Sequence, residues 1–159
     1  MLITDITDLR CAKYKRISRA LAIDYGNKRI GLAISDINWI ISSPLEVVET
    51  SKAFSEVLRI ANENSVGLIV IGAPKPLNGG EGGLQYDKVK SFAGKLLNFF
   101  EKKNMDINIV FWDERLSTVA ANKTLLELEM NLTKRKQNLD KLAASFILQG
   151  LLNYTEFNM

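Results

Sequence analysis

Apolar positions along this chain switch between two periods, and the switches mark its elements. Ala20 to Ile23 and Ile30 to Ile34 form two short apolar runs joined by Gly26-Asn27, the pattern of a β-hairpin. In the second run Ile30, Leu32 and Ile34 alternate with Gly31, Ala33 and Ser35, so one face is bulky and the other small enough for a helix to lie close. Pro44 to Thr50 suits a third strand, placed at an edge by its proline. Phe54, Val57, Leu58 and Ala61 then recur at helical spacing, predicting a helix to about Asn64 with Ser51 as its N-cap. Gly67 to Gly72 is apolar on both faces and reads as a buried parallel strand. Val89, Phe92, Ala93, Leu96 and Phe100 share one face of a helix over 84–103, and Ile107 to Trp112 is a further strand. Helices are predicted over 116–130 and 139–154. Three strands able to pair antiparallel, followed by alternating strand and helix, predict an α/β fold: one mixed sheet with helices on both faces.

Composition narrows the class. With 159 residues, 47% hydrophobic and 25% charged, the chain suits one ordinary globular domain over 19–159. Residues 1–18, with Lys13, Lys15 and Arg16, read as a basic extension that is mobile or lies on the surface. A net charge of +3 permits a nucleic-acid partner without requiring one. No apolar run reaches the ~20 residues of a membrane span. The first ten residues lack the apolar core of a signal peptide, and Cys11 is the only cysteine, so a cytoplasmic location is expected. With no histidine, His-based triads and His metal sites are excluded. Any metal is held by oxygen, which favours Mg²⁺ or Mn²⁺.

Three carboxylates fall at the ends of apolar elements: Asp24 after the first strand, Asp113 after the last, and Asp140 opening the final helix. Each has a plain alternative. Asp140 suits a helix N-terminus, Asp113 could cap the following helix, and Asp24 could bond the amides of its own turn. Gathered at one edge, the three would instead hold a pair of divalent ions for phosphodiester hydrolysis. The Pro- and Gly-rich loop 73–83 leaves the carboxyl end of the buried strand, where open α/β sheets place their sites.

Asp24-Tyr-Gly-Asn-Lys-Arg-Ile-Gly31, Val70-Ile-Gly-Ala-Pro74, Asp113-Glu-Arg-Leu-Ser-Thr118 and Asp140-Lys-Leu-Ala-Ala-Ser-Phe-Ile-Leu148 resemble, in that order, the YqgF/RuvX family. These are Holliday-junction-resolvase-like proteins of the RNase H-like superfamily, regarded as nucleases of pre-16S ribosomal RNA. The resemblance spans residues 20–153. It implies a five-stranded mixed sheet whose first three strands are antiparallel. It also implies a hydrolase of the 5′ end of pre-16S rRNA in ribosome biogenesis, or of branched DNA, with two Mg²⁺ or Mn²⁺ ions held by Asp24, Asp113 and Asp140. RNase H-like nucleases often carry a glutamate after the fourth strand. Gly72-Ala73-Pro74 stands there instead, leaving Glu81 or Glu114 as the additional acid.

Lys28, Arg29, Arg115, Lys123 and the run Lys134-Arg135-Lys136 line a candidate path for a phosphate backbone, or a solvated surface. Trp39, in a loop, and Trp112, in a strand, are candidates to stack on bases or to fill the core. A homodimer would suit a four-way junction. Two other readings stay open: a non-catalytic RNA- or ribosome-binding module, and a single nucleotide-binding lobe of the actin/Hsp70 kind, whose first phosphate loop also resembles Asp24-x-Gly26.

Overall fold

The computed structural model describes residues 2–3, 18–73, 83–113 and 136–157. Its strands are β1 (Leu2–Ile3), β2 (Arg19–Asp24), β3 (Arg29–Ser35), β4 (Ser42–Glu49), β5 (Val66–Gly72) and β6 (Asn108–Trp112). Among the described residues the helices α1 (Ala53–Asn64), α2 (Leu84–Lys102) and α3 (Lys136–Phe157) accompany them. The strands form one sheet in the order β1-β6-β5-β2-β3-β4. β2, β3 and β4 pair antiparallel, whereas β5 runs parallel to both β2 and β6. This is the expected RNase H-like mixed sheet with one addition: Leu2 and Ile3, from the amino-terminal segment, pair parallel with Ile109 and Val110. The helix predicted over 116–130 lies outside the described residues.

Alternation along the strands decides what each face holds. Leu21, Ile23, Ile30, Leu32, Ile69 and Ile71 point to one side and pack on Val57 and Ile60 of α1 and on Phe92, Leu96 and Phe100 of α2. The other side offers Ala20, Ala22 and Ala33, and α3 closes over it with Ala144, Ile147, Leu148 and Leu151. Small sheet residues let that helix approach closely, as the alternation of β3 predicts. At Gly150 the approach is tight: a methyl group there would lie 3.0 Å from the Trp112 ring. Polar contacts fix the helix along its axis. Gln149 Oε1 accepts from Ser42 N at 2.9 Å, and the Ser42 and Ser145 hydroxyls lie 3.0 Å apart.

Several local expectations are corrected. The hairpin connection spans four residues, Tyr25 to Lys28, rather than a tight Gly-Asn turn. It is tied down by Thr50, whose N donates to Lys28 O (2.9 Å) and whose hydroxyl donates to Gly26 O (2.7 Å). Ser51 is no N-cap, because Thr50–Lys52 form a 3₁₀ turn and α1 starts after Lys52 without a side-chain cap. α3 starts at Lys136, three residues before the predicted start, so Asp140 lies in its second turn.

Trp39 is not available to stack on bases. It is 2% exposed, with its indole N–H donating to Ser18 O at 3.0 Å. Its left-handed backbone (φ 58°) is held by Asp36, whose carboxylate accepts from Asn38, Ile40 and Ile41 N–H at 3.2, 2.7 and 2.9 Å. Trp112 is core, edge-on to Tyr154 with ring centres 5.9 Å apart.

Candidate functional site

Because β2, β5 and β6 run parallel, their carboxyl ends share one edge of the sheet. Asp24 is the last residue of β2, and Asp113 directly follows β6. The register is continuous across the gap: Ile23 pairs with Ile71, Ile71 with Phe111, and Gly72 with Trp112. Ala73 N extends it by donating to Trp112 O at 2.9 Å. With β5 between them, the ends of β2 and β6 are about 10 Å apart, two strand spacings. The two acids leave their strands on opposite parities, Asp24 on the α3 side and Asp113 on the α1–α2 side. Gly72 and Ala73, at the end of β5, carry only small side chains between them.

Asp24 has the parity of Ala20 and Ala22, the residues that face α3. Helix α3 in turn brings its amino-terminal end to the same edge. Ser145 and Gln149 bond Ser42 at the start of β4, whereas Lys141 lines a cavity with Arg29, Glu46 and Glu49 near the end of that strand. Arg29 pairs with Glu49 and opens β3 just beyond the Asp24 connection. The helix therefore runs along β4 with residue 140, beside Lys141, at the Asp24 edge. For residues 136–140 the backbone alone is described, which places Asp140 and Lys136 by position only.

Asp113 continues the parity of Ile109 and Phe111, which face α1 and α2, while Val110 and Trp112 face α3. Glu114, Glu81, Arg115, Lys123, Lys134 and Arg135 lie outside the described residues. Among the described residues, no three His, Cys, Asp or Glu side chains group closely enough to hold a metal. The donor chemistry nonetheless fits hard divalent cations, since the chain has no histidine and the edge offers carboxylate oxygen. Lys28 and Arg29 are exposed at the hairpin connection.

Three cations line cavities with residues of this edge that the sequence reading passed over: Lys88, Lys95 and Lys141. Their only sequence signal was exposure on a helix, which most surface lysines share. No described helix is long and apolar enough to cross a membrane.

The chain is 38% identical over 145 residues to a protein of Paramagnetospirillum magneticum named "Putative pre-16S rRNA nuclease", covering 89% of this chain and 90% of that one. A protein of the same name from Bartonella tribocorum is 41% identical over 138 residues, covering 84% of each. Among solved structures, Thermus thermophilus RuvC in complex with a Holliday junction substrate superposes with a TM-score of 0.56 at 14% identity. That match covers 86% of this chain and 95% of that one, a likeness of fold. The profile of one family, RuvX, described as Holliday junction resolvase, matches residues 18–154, and with identities of about 40% along most of its length the chain belongs to that family.

Proposed function

We propose that this chain is a divalent-metal-dependent endonuclease of structured nucleic acid, acting in the cytoplasm on the 5′ end of pre-16S rRNA. What supports this reading is that the ends of β2 and β6 and the amino-terminal end of α3, from three distant segments, lie at one sheet edge. The name shared by the relatives directs it to ribosomal RNA precursor. Branched DNA is the other substrate of the same chemistry, and a symmetric dimer is the assembly that would suit it.

Residues 19–159 carry the activity, with 1–18 appended. Asp24, Asp113 and Asp140 would hold Mg²⁺ or Mn²⁺, and the metal would supply water activation and charge stabilisation for phosphodiester hydrolysis. The chain itself supplies the frame. β2 and β6 fix two carboxylates a set distance apart, and α3 delivers the third position from the side. Lys28, Arg29, Arg115, Lys134, Arg135 and Lys136 draw in and orient the phosphate backbone. Glu114 and Glu81 are the candidates for an additional acid.

The test incubates labelled precursor rRNA and labelled junction DNA with the protein and Mg²⁺, Mn²⁺ or chelator, beside Asp24→Asn, Asp113→Asn, Glu114→Gln and Asp140→Asn. Cleavage that needs metal and is lost by at least ~100-fold in Asp24→Asn, with unfolding unchanged, supports the reading. Metal-independent cleavage, or an Asp24→Asn variant as active as the parent, refutes it.

A further inference from the structure

A cavity of about 320 Å³ opens at the Asp24 edge on the other side of the sheet, beneath α1 and α2. Its floor is aromatic: the rings of Tyr25 and Phe92 lie 4.9 Å apart. Its rim carries the ammonium groups of Lys88 and Lys95 and the hydroxyls of Ser51 and Ser91, and no carboxylate among the described residues lines it. Lys88, Ser91 and Lys95 sit at i, i+3 and i+7 of α2 and so share one face of that helix. Lys88 Nζ is 3.5 Å from Asn27 Oδ1, which brings the lysine to the β2–β3 connection. The cavity on the α3 side differs in sign: it sets Glu46 and Glu49 against Arg29 and Lys141. The groove on the α1–α2 side is therefore the more anion-selective of the two.

Two cations, two hydroxyl donors and an apolar floor match one ligand class. A phosphodiester backbone offers charge and acceptors to the rim, while its sugar or base covers the rings. The position supplies the connection. Asp24 and Tyr25 are consecutive, and alternation sends them to opposite faces of the sheet edge. A strand whose phosphate sits at Asp24 continues over that edge into the groove.

We infer that this groove holds the backbone of the substrate strand beside the cut, with Lys88 and Lys95 as phosphate contacts and Ser51 and Ser91 as hydrogen-bond donors. The inference rests on the nuclease reading above for the identity of the strand. It assigns the α1–α2 side a binding role separate from the acids.

The test measures binding of a labelled pre-16S rRNA 5′ fragment in chelator across a salt series, and cleavage with Mg²⁺, for wild type, K88Q/K95Q and K90Q/K102Q. The last pair removes the same charge from the same helix outside the groove. K88Q/K95Q is expected to bind about tenfold more weakly, with a salt slope reduced by about 1.4 for two single-strand phosphate contacts, while K90Q/K102Q stays within about twofold of wild type. Thermal unfolding of all three should coincide. If wild type cuts and the two double variants bind alike, the groove assignment falls and the nuclease reading stands. If wild type binds but never cuts, and K88Q/K95Q alone is weakened, the groove stands and the nuclease reading falls. A wild type that binds no nucleic acid overturns both.

Discussion

Gly150 tests whether the close approach of α3 to the sheet is a requirement of the site or an accident of packing. It lies in the interior of α3 over the indole of Trp112, where an added Cβ would meet three ring atoms at 3.0, 3.2 and 3.2 Å. Such distances need the neighbour to give way. Trp112 is 1% exposed, packed within the α3 cluster and edge-on to Tyr154 of the same helix, so it has little room to move. Gly94, inside α2, has nothing within 4 Å of the same added atom. Alanine in place of glycine in a helix interior is worth about 1 kcal/mol in propensity. Overpacking a filled core costs about 1–3 kcal/mol.

Gly94→Ala is therefore expected to stabilise by about 1 kcal/mol. Gly150→Ala is expected to destabilise by about 1 kcal/mol, the mid-range overpacking cost less the propensity gain. The two variants should differ by about 4–8 °C in midpoint for a chain of this size. Thermal and urea unfolding read the difference directly. Because α3 also carries position 140, cleavage by Gly150→Ala should fall further than its folded fraction does, at a temperature where both variants are folded. If Gly150→Ala is stabilised as much as Gly94→Ala, the Trp112 surface has slack and the spacing argument is wrong.

Other substitutions probe separate contacts. Gly26→Ala puts a Cβ 2.5 Å from the backbone oxygen of Arg29, so it should cost at least ~2 kcal/mol and displace the hairpin connection, seen as a lowered urea midpoint and weaker RNA binding. Trp39→Phe removes the donor to Ser18 O and should cost about 1–3 kcal/mol in urea unfolding without changing RNA affinity; the reverse pattern would restore a base-stacking role. Burial alone would raise the Asp36 carboxyl, but the N–H groups of Ile41, Ile40 and Asn38, with its own, outweigh it and hold the group below its usual value. A depressed folded pKa adds stability that is present above the unfolded value of 3.8 and lost as pH falls through the lower folded one. The stability gap between wild type and Asp36→Asn should therefore be full at about pH 5 and narrow below that window, and a gap independent of pH would refute the role of the charge.

Periodicity alone determined most of the elements. The buried stripe of α2 and the small face of β3 follow from side chains whose period matches one regular structure, the edge placement of β4 follows from its proline, and the burial of β5 from apolar residues on both its faces. The strand-end positions of two candidate acids were legible for a related reason. Asp24 and Asp113 close apolar runs that have no packing use for a carboxylate. Only the tertiary structure decided the rest, because it depends on pairs far apart in sequence. Trp39 entered the core when Ser18 O met its indole. Leu2 and Ile3 joined the sheet because β6 left an edge to pair with. Lys88 and Lys95 became groove residues only when α2 came to rest beside Tyr25. A solvated lysine and a phosphate-binding lysine have the same local pattern, and what separates them is the company that folding brings from elsewhere.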